Sequence, residues 1–284
     1  MRNFKNKAFS LVELSIVILI IGILLVGIAE SSRLISEFKL TSARSLTQGS
    51  NVNSISGLVL WYETTLTQSF DAEELEDEDE IAIWRDINPQ TSNKNNGIAD
   101  TENYPSYLRD CINSLPCLTF SGGDAFFFNG AILVGKEYTI FLVEQRSEPD
   151  EDFHKIFGGS GGNDESLFIG YTGATSLRYG HYDLFDDYSI PAFNGKEPRL
   201  HTFQLNIAGD SRDYYINGII QAGSTSGEVN YLQSYDNAVF GRSYPDSTSL
   251  AYEGDIGEVI IFDRKLKTSE REDVEEYLRK KWKL

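Results

Sequence analysis

Basic side chains are scarce in this chain of 284 residues: 25 Lys and Arg stand against 43 Asp and Glu, a net charge of −18. A surface so acidic argues against nucleic-acid binding and against lying on anionic lipid, because both need clustered cations. Only three histidines occur, His154, His181 and His201. They lie far apart in sequence and none has a metal-spaced partner, so packed or solvated imidazoles are expected. Cysteine is limited to Cys111 and Cys117, which suits an exported chain with one disulfide better than a metal site. No repeat of fixed period is present. The glycine-rich stretch 158–162 lacks the Lys-Ser/Thr of a phosphate loop and reads as a turn.

What the chain does have is one long apolar run. Phe9 to Ala29 is 21 residues, apolar but for two serines and Glu13. As a helix it would be roughly 32 Å long, enough to cross a bilayer core. Arg2, Lys5 and Lys7 precede it with no acid, which keeps that end cytoplasmic. A secretory signal would show the same basic start, and Gly27-Ile28-Ala29 offers a small-x-small cleavage site, but Glu13 would break its apolar region. A plain anchor accounts for the length and leaves Glu13 unexplained, whereas a carboxylate inside a membrane segment points to function.

At Ala8 and Phe9-Ser10-Leu11-Val12-Glu13-Leu14, followed by the unbroken apolar helix, the segment resembles type IV prepilins and type II secretion pseudopilins. The family usually has Gly where this chain has Ala8. The resemblance implies cleavage by a prepilin peptidase between Ala8 and Phe9, methylation of the new Phe9 amino group, and pairing of Glu13 with the amino group of a neighbouring subunit. Loss of residues 1–8 leaves 22 basic against 43 acidic side chains, a net of −21.

Taken in order, 1–8 is a leader, 9–48 a membrane and filament helix, 49–56 a polar linker and 57–284 a head. Tyr and Phe number 15 and 17 beside 24 Gly, a composition of strands and tight turns. Strands are expected over 58–62, 138–144, 167–171, 201–207 and 258–263. Residues 213–221 read as a hairpin about Asn217-Gly218. The segment 71–80 holds eight acids in ten residues and reads as a solvated loop, with calcium binding the sharper alternative. A last helix over 268–283 carries Ser269 and Glu272 as a capping box and Val274, Tyr277, Leu278 and Trp282 as its apolar face. The expected fold is a long N-terminal α-helix, then an all-β antiparallel sandwich with a short C-terminal helix.

The order of segments from Gly57-Leu58-Val59-Leu60-Trp61-Tyr62 to Tyr252-Glu253-Gly254-Asp255-Ile256-Gly257-Glu258-Val259-Ile260 is similar to the laminin-G-like, concanavalin A-type jelly roll. That resemblance implies fold more than function, since the scaffold carries lectins, adhesins, glycosidases and spacers alike. Glu253-x-Asp255-x-x-Glu258 matches the carboxylate letters of β-sandwich glycosidases. Gly254 and Gly257 suit a bulge better, and the chain is expected not to be an enzyme. Asp183, Asp186 and Asp187 with Tyr182 and Tyr188 form a candidate ligand or calcium loop. No other cofactor is expected.

The expectation for function is a type IV pilus subunit, major or minor, displaying a lectin-like head that adheres to glycan or protein. A pseudopilin of a type II secretion system is the alternative, and an anchored glycan hydrolase the third. Partners would be other pilin subunits, the prepilin peptidase, the inner membrane before assembly and a surface ligand, with no nucleic acid. Localisation would run from the inner membrane to an extracellular filament.

Overall fold

The structure is a computed structural model and describes residues 11–71, 75–147, 153–162, 164–192, 196–245, 248 and 250–284, without the side chains of 29, 30, 32, 225 and 226. It opens with α1, Leu11–Gln48, 38 residues in one uninterrupted helix of about 57 Å. From Leu11 to Ile28 its described side chains are all exposed. Gly49 ends the helix, its N–H still reaching Ser45 O at 2.9 Å.

The strands in chain order are β1 Leu58–Glu63, β2 Ile83–Trp84, β3 Gly97–Ala99, β4 Ser106–Ile112, β5 Leu115–Ser121 and β6 Phe126–Phe128. There follow β7 Tyr138–Arg146, β8 His154–Gly158, β9 Leu167–Gly173, β10 Ser176–His181, β11 Leu184–Ser189 and β12 Arg199–Asn206. The last are β13 Ser211–Ile216, β14 Ile219–Ile220, β15 Gly223–Ser226, β16 Ala238–Phe240 and β17 Glu253–Phe262, before helix α2, Thr268–Trp282.

These strands form two antiparallel sheets. The first has eight strands in the order β14-β13-β12-β7-β17-β5-β4, with β1 also paired to β17. The second has nine, β15-β11-β10-β9-β8-β16-β6-β3-β2. Between the sheets lies an aromatic core that includes Trp84, Phe120, Phe126, Phe203 and Phe240. The central strand β7 is buried on both faces. Tyr138, Ile140 and Leu142 enter that core, and Phe141 and Val143 enter a second one on the other side. The second core is closed by Val274, Leu278 and Trp282 of α2 and by Ala43 near the end of α1. The molecule is therefore three layers deep: helices, first sheet, second sheet.

Four local expectations are revised. Residues 49–56 are no free linker: Val52 and Ile55 are buried in the second core, and Gln90 Nε2 holds the carbonyls of Asn53 and Ile55 at 3.0 and 2.7 Å. The polar letters of that stretch hid two apolar anchors. The cap of α2 sits two residues earlier than expected, where Glu270 returns to accept from Lys267 N–H at 2.9 Å and Arg264 clamps its carboxylate at 2.8 Å. The last strand starts at Glu253, five residues before the expected 258, and Gly257 is the extra residue where its register against β7 shifts. Finally, the described part of the acidic run is pinned along β4. Glu78 N–H reaches Tyr107 O at 2.8 Å, Tyr107 N–H reaches Asp79 O at 2.9 Å, and Glu76 pairs with Arg109 at 2.9 Å.

Candidate functional site

Of the residues expected to act in processing and assembly, Glu13 lies within the described part, at the end of α1 far from the head. Ala8 and Phe9 fall outside the described residues. Glu13 stands exposed on the first turn of α1, at the start of the apolar stretch.

At the other end, α1 is built into the head. Arg44 Nε donates to Thr65 O at 2.7 Å, and the Tyr277 hydroxyl of α2 lies 3.1 Å from Thr47 Oγ1. That hydroxyl donates to Glu258 Oε1 at 2.7 Å, where Trp61 Nε1–H also arrives at 2.8 Å. Glu258 Oε2 takes Trp282 Nε1–H at 2.8 Å and the Lys281 ammonium at 2.8 Å. The same ammonium is 2.8 Å from Glu63 Oε2, and all three charged groups are fully buried. Burial pushes the Glu63 carboxyl up, but Lys281 and the hydroxyls of Ser69 and Thr65 outweigh it and hold it below its ordinary value. Burial pushes the Lys281 ammonium down, and the two carboxylates more than reverse that.

This junction accounts for Glu258. Its neighbours in the E-x-D-x-x-E pattern do not share its surroundings. Asp255 is buried and accepts from Thr119 Oγ1 at 2.7 Å and Gln145 Nε2 at 3.2 Å. Glu253 is exposed at the rim beside Gly122.

The five loop candidates separate as well. Tyr182 and Asp183 form the two-residue turn between β10 and β11, with Asp183 at φ 62°. Asp186 points into the sandwich, 3.2 Å from Arg212 Nη1. Tyr188 is buried beside it, donates to Arg212 O, and has its hydroxyl pushed well up by burial and by Asp186. Asp187 points outward and takes a bidentate pair from Arg178 at 2.8 and 2.9 Å. Among the described residues, Cys111, Cys117 and Asp255 are the group placed closely enough to share a metal ion. Cys111 and Cys117 are a disulfide, so that cluster is accounted for. Among the described residues, neither the acidic run nor this hairpin brings three such groups that close together.

What the hairpin does present is the outer face of the second sheet, where Tyr182 and Asp187 of the expected loop are joined by residues that sequence reasoning missed. Arg178 lies 3.6 Å over the Phe185 ring. Phe168 packs between Phe185 and Tyr182, with ring centroids 6.4 and 6.1 Å away. Lys155 Nζ sits 4.4 Å over the Phe168 ring. Burial, with Arg178 nearby, brings the Lys155 amine down to about 7. Phe168 and Lys155 are themselves buried, and what reaches solvent is the half-exposed Tyr182, Phe185, Arg178 and Asp187, aromatic edges beside directional polar atoms of the kind a sugar or peptide ligand requires. The period-two pattern Arg178-x-Gly180 opposite Phe185-x-Asp187 was the signal available in the sequence.

The three histidines are all buried. His201 Nε2–H donates to Glu144 Oε1 at 2.8 Å, Tyr171 O–H reaches the same oxygen at 2.7 Å, and Tyr252 O–H takes Glu144 Oε2. Burial pushes the Glu144 carboxyl up and these three donors bring it below its ordinary value. The network is sealed inside the sandwich and serves the packing there.

The sequence model described as the prokaryotic N-terminal methylation motif matches residues 3–29. The N-terminus is thus similar to a prepilin-type methylation segment. No curated protein matches the chain. Among solved structures, Trypanosoma rangeli sialidase in complex with sialic acid is similar at 14% identity and TM-score 0.56, over 80% of this chain and 33% of that one. A mutant of the same sialidase displaying trans-sialidase activity gives 13% and 0.54 over the same shares. The binding domain of Paraclostridial Mosquitocidal Protein 1 gives 11% and 0.53 over 79% of this chain and 52% of that one. The chain spans about a third of the length of those sialidases. At such identity the likeness is one of fold: the head shares a β-sandwich with these structures. The expectation of a non-enzyme is corrected by the same finding, because sialidases are among the structures that share this fold and the fold does not set the head apart from them.

Proposed function

We propose that the chain is a type IV pilin-type subunit whose head is carried on the filament surface and adheres there to a glycan. The observation that carries this reading is the order of layers. Both helices pack on the first sheet, so bundling the α1 helices of many subunits turns the second sheet away from the filament axis. The motif at residues 3–29 supports processing by a prepilin peptidase and assembly with other pilin subunits. The aromatic strip about Arg178, Phe185 and Asp187 lies on the sheet that would face outward. Type II secretion is the alternative setting for such a subunit.

The test uses sheared filaments on an immobilised glycan panel. Wild-type filaments should be retained on a subset of glycans, and Phe185→Ala with Arg178→Ala should lose that retention while filament yield is unchanged. Equal retention by the variant would move the site elsewhere, and retention on no glycan would overturn adhesion to sugar. Sugar released from the panel is read in parallel, and release would assign the head hydrolysis.

A further inference from the structure

The outer face of the second sheet carries another site beside the strip around Phe185. Trp84, Phe126 and Ala99 enter the core between the sheets, so their neighbours Ile83, Phe127 and Ile98 point outward. Register sets these three side by side across β2, β3 and β6. Ile98 is 49% exposed, and Ile83 and Phe127 are half-exposed. The Arg242 guanidinium lies 5.5 Å from the Phe127 ring centroid and is held by Asp100 at 2.8 Å. Arg242 is buried, and Asp100 and the Phe127 ring are what reach solvent. The arrangement repeats the one around Phe185, where Arg178 lies over the ring and Asp187 closes the pair.

Segment 241–245 crosses the outer face between the two sites. Its Ser243 carbonyl takes the Gly159 N–H at 3.0 Å and leaves no room for a Cβ on Gly158. From this segment Arg242 serves one site, while Tyr244 interacts with Tyr182 at the other. Phe185 and Phe127 are five steps apart in the order β11-β10-β9-β8-β16-β6, or about 24 Å.

We propose that one linear, uncharged polysaccharide chain occupies both sites, running across the strands of the second sheet. This rests on the glycan reading above and deepens it: the ligand is an extended neutral chain and not a single terminal sugar. Three observations select it. Each guanidinium is already neutralised by its own aspartate, so the polar atoms left over suit hydroxyls better than a charged group. Each site also offers part of an aromatic ring, against which the apolar side of a sugar packs. Finally, both sites lie on one face, and a pyranose chain advances by about one strand spacing per unit, so roughly five units join them. A disaccharide touches one site only, whereas a longer chain engages both and gains avidity.

The test applies sheared filaments to immobilised cellulose, chitin, mannan and amylose. Wild-type filaments should be retained on at least one of these, and its soluble oligomers should release them. The potency of release should rise about ten-fold or more from trisaccharide to hexasaccharide. Phe127→Ala should remove that rise while the trisaccharide competes as before. Ile98→Arg, at an exposed position outside the core, should do the same by blocking the second site. Equal potency of trisaccharide and hexasaccharide on the wild type overturns the proposal, as does an unchanged rise in the two variants. Retention confined to charged or branched glycans of the wider panel overturns it too. Retention on no glycan of any kind strikes the adhesion reading instead, so the two failures are told apart.

Discussion

Gly257 lies directly under the indole of Trp282: a Cβ built on Gly257 would stand 2.5 Å from the ring. The extra residue in β17 and the last aromatic of the chain are thus fitted to each other. Gly257→Ala forces either the bulge or α2 to move, an overpacking cost of about 1–3 kcal/mol. Chemical unfolding of the subunit in detergent should show a lower midpoint with an unchanged slope. A midpoint equal to wild type would mean that α2 yields freely and that the fit is loose.

Lys281 joins Glu63 to Glu258 in a site without water-exposed atoms. Lys281→Met keeps the length of the side chain but strands two carboxylates, and breaking a buried pair of this kind costs about 3–5 kcal/mol. The sign of the pH dependence follows from the directions of the shifts. Glu63 is held below its ordinary value in the fold, so its stabilisation is present above the unfolded carboxyl pKa and lost as acid protonates the folded group. Lys281 is held above its ordinary value, so its share is full below the unfolded amine pKa and lost as alkali titrates the folded group. Wild-type stability should be flat between those limits in this respect, and the variant should lose much of both slopes.

Much of this was legible in the sequence, and the boundary follows a physical line. The apolar run, the Asn217-Gly218 turn and the α2 face of Val274, Tyr277, Leu278 and Trp282 are local patterns, and the structure places each as read. The same was true of Cys111 and Cys117, whose short separation and export signal implied the disulfide. What stayed hidden depends on partners far away in the chain. Glu258 looked like one letter of a catalytic motif until Lys281, Trp61 and Trp282 were found around it. Asp186 and Asp187 looked like neighbours in a ligand loop, but alternation along β11 sends one to Arg212 inside and the other to Arg178 outside. The face built by Arg178 and Phe185 over the buried Lys155 and Phe168 draws on four strands whose pairing no local pattern specifies.

His181 supplies a second pH response. It is buried, its Nδ1–H faces Asp164 Oδ1 at 3.0 Å and its Nε2 accepts from the Tyr138 hydroxyl at 3.1 Å, an arrangement suited to neutral imidazole. Burial drives its pKa below the ordinary value and Arg212 adds to this, while Asp164 opposes both. The unfolded chain therefore binds a proton more readily, and stability falls as pH drops below about 6.5, by at most ~1.4 kcal/mol per unit. His181→Gln should flatten this limb between pH 6.5 and the carboxylate range. An identical acid limb in the variant would assign the loss to another group.

Assembly gives the last prediction, and it turns on Glu13 at the start of an apolar stretch that the head leaves uncovered. In a bundle of such helices a carboxylate is tolerable when a cation of the next chain neutralises it, and cleavage after Ala8 would supply one as the Phe9 amino group. Glu13→Ala removes the partner of that cation but makes the segment more apolar. Membrane insertion should then be unimpaired, while the amount recovered in sheared filaments falls at least ten-fold. Glu13→Gln separates charge from shape: it should fail as Ala does if the ion pair matters, and assemble if only a polar side chain of that length is needed. Mass spectrometry of the wild-type filament should find Phe9, carrying one methyl group, as the first residue. A mature chain beginning at Glu30 would identify the segment as a secretory signal and remove the basis for the filament.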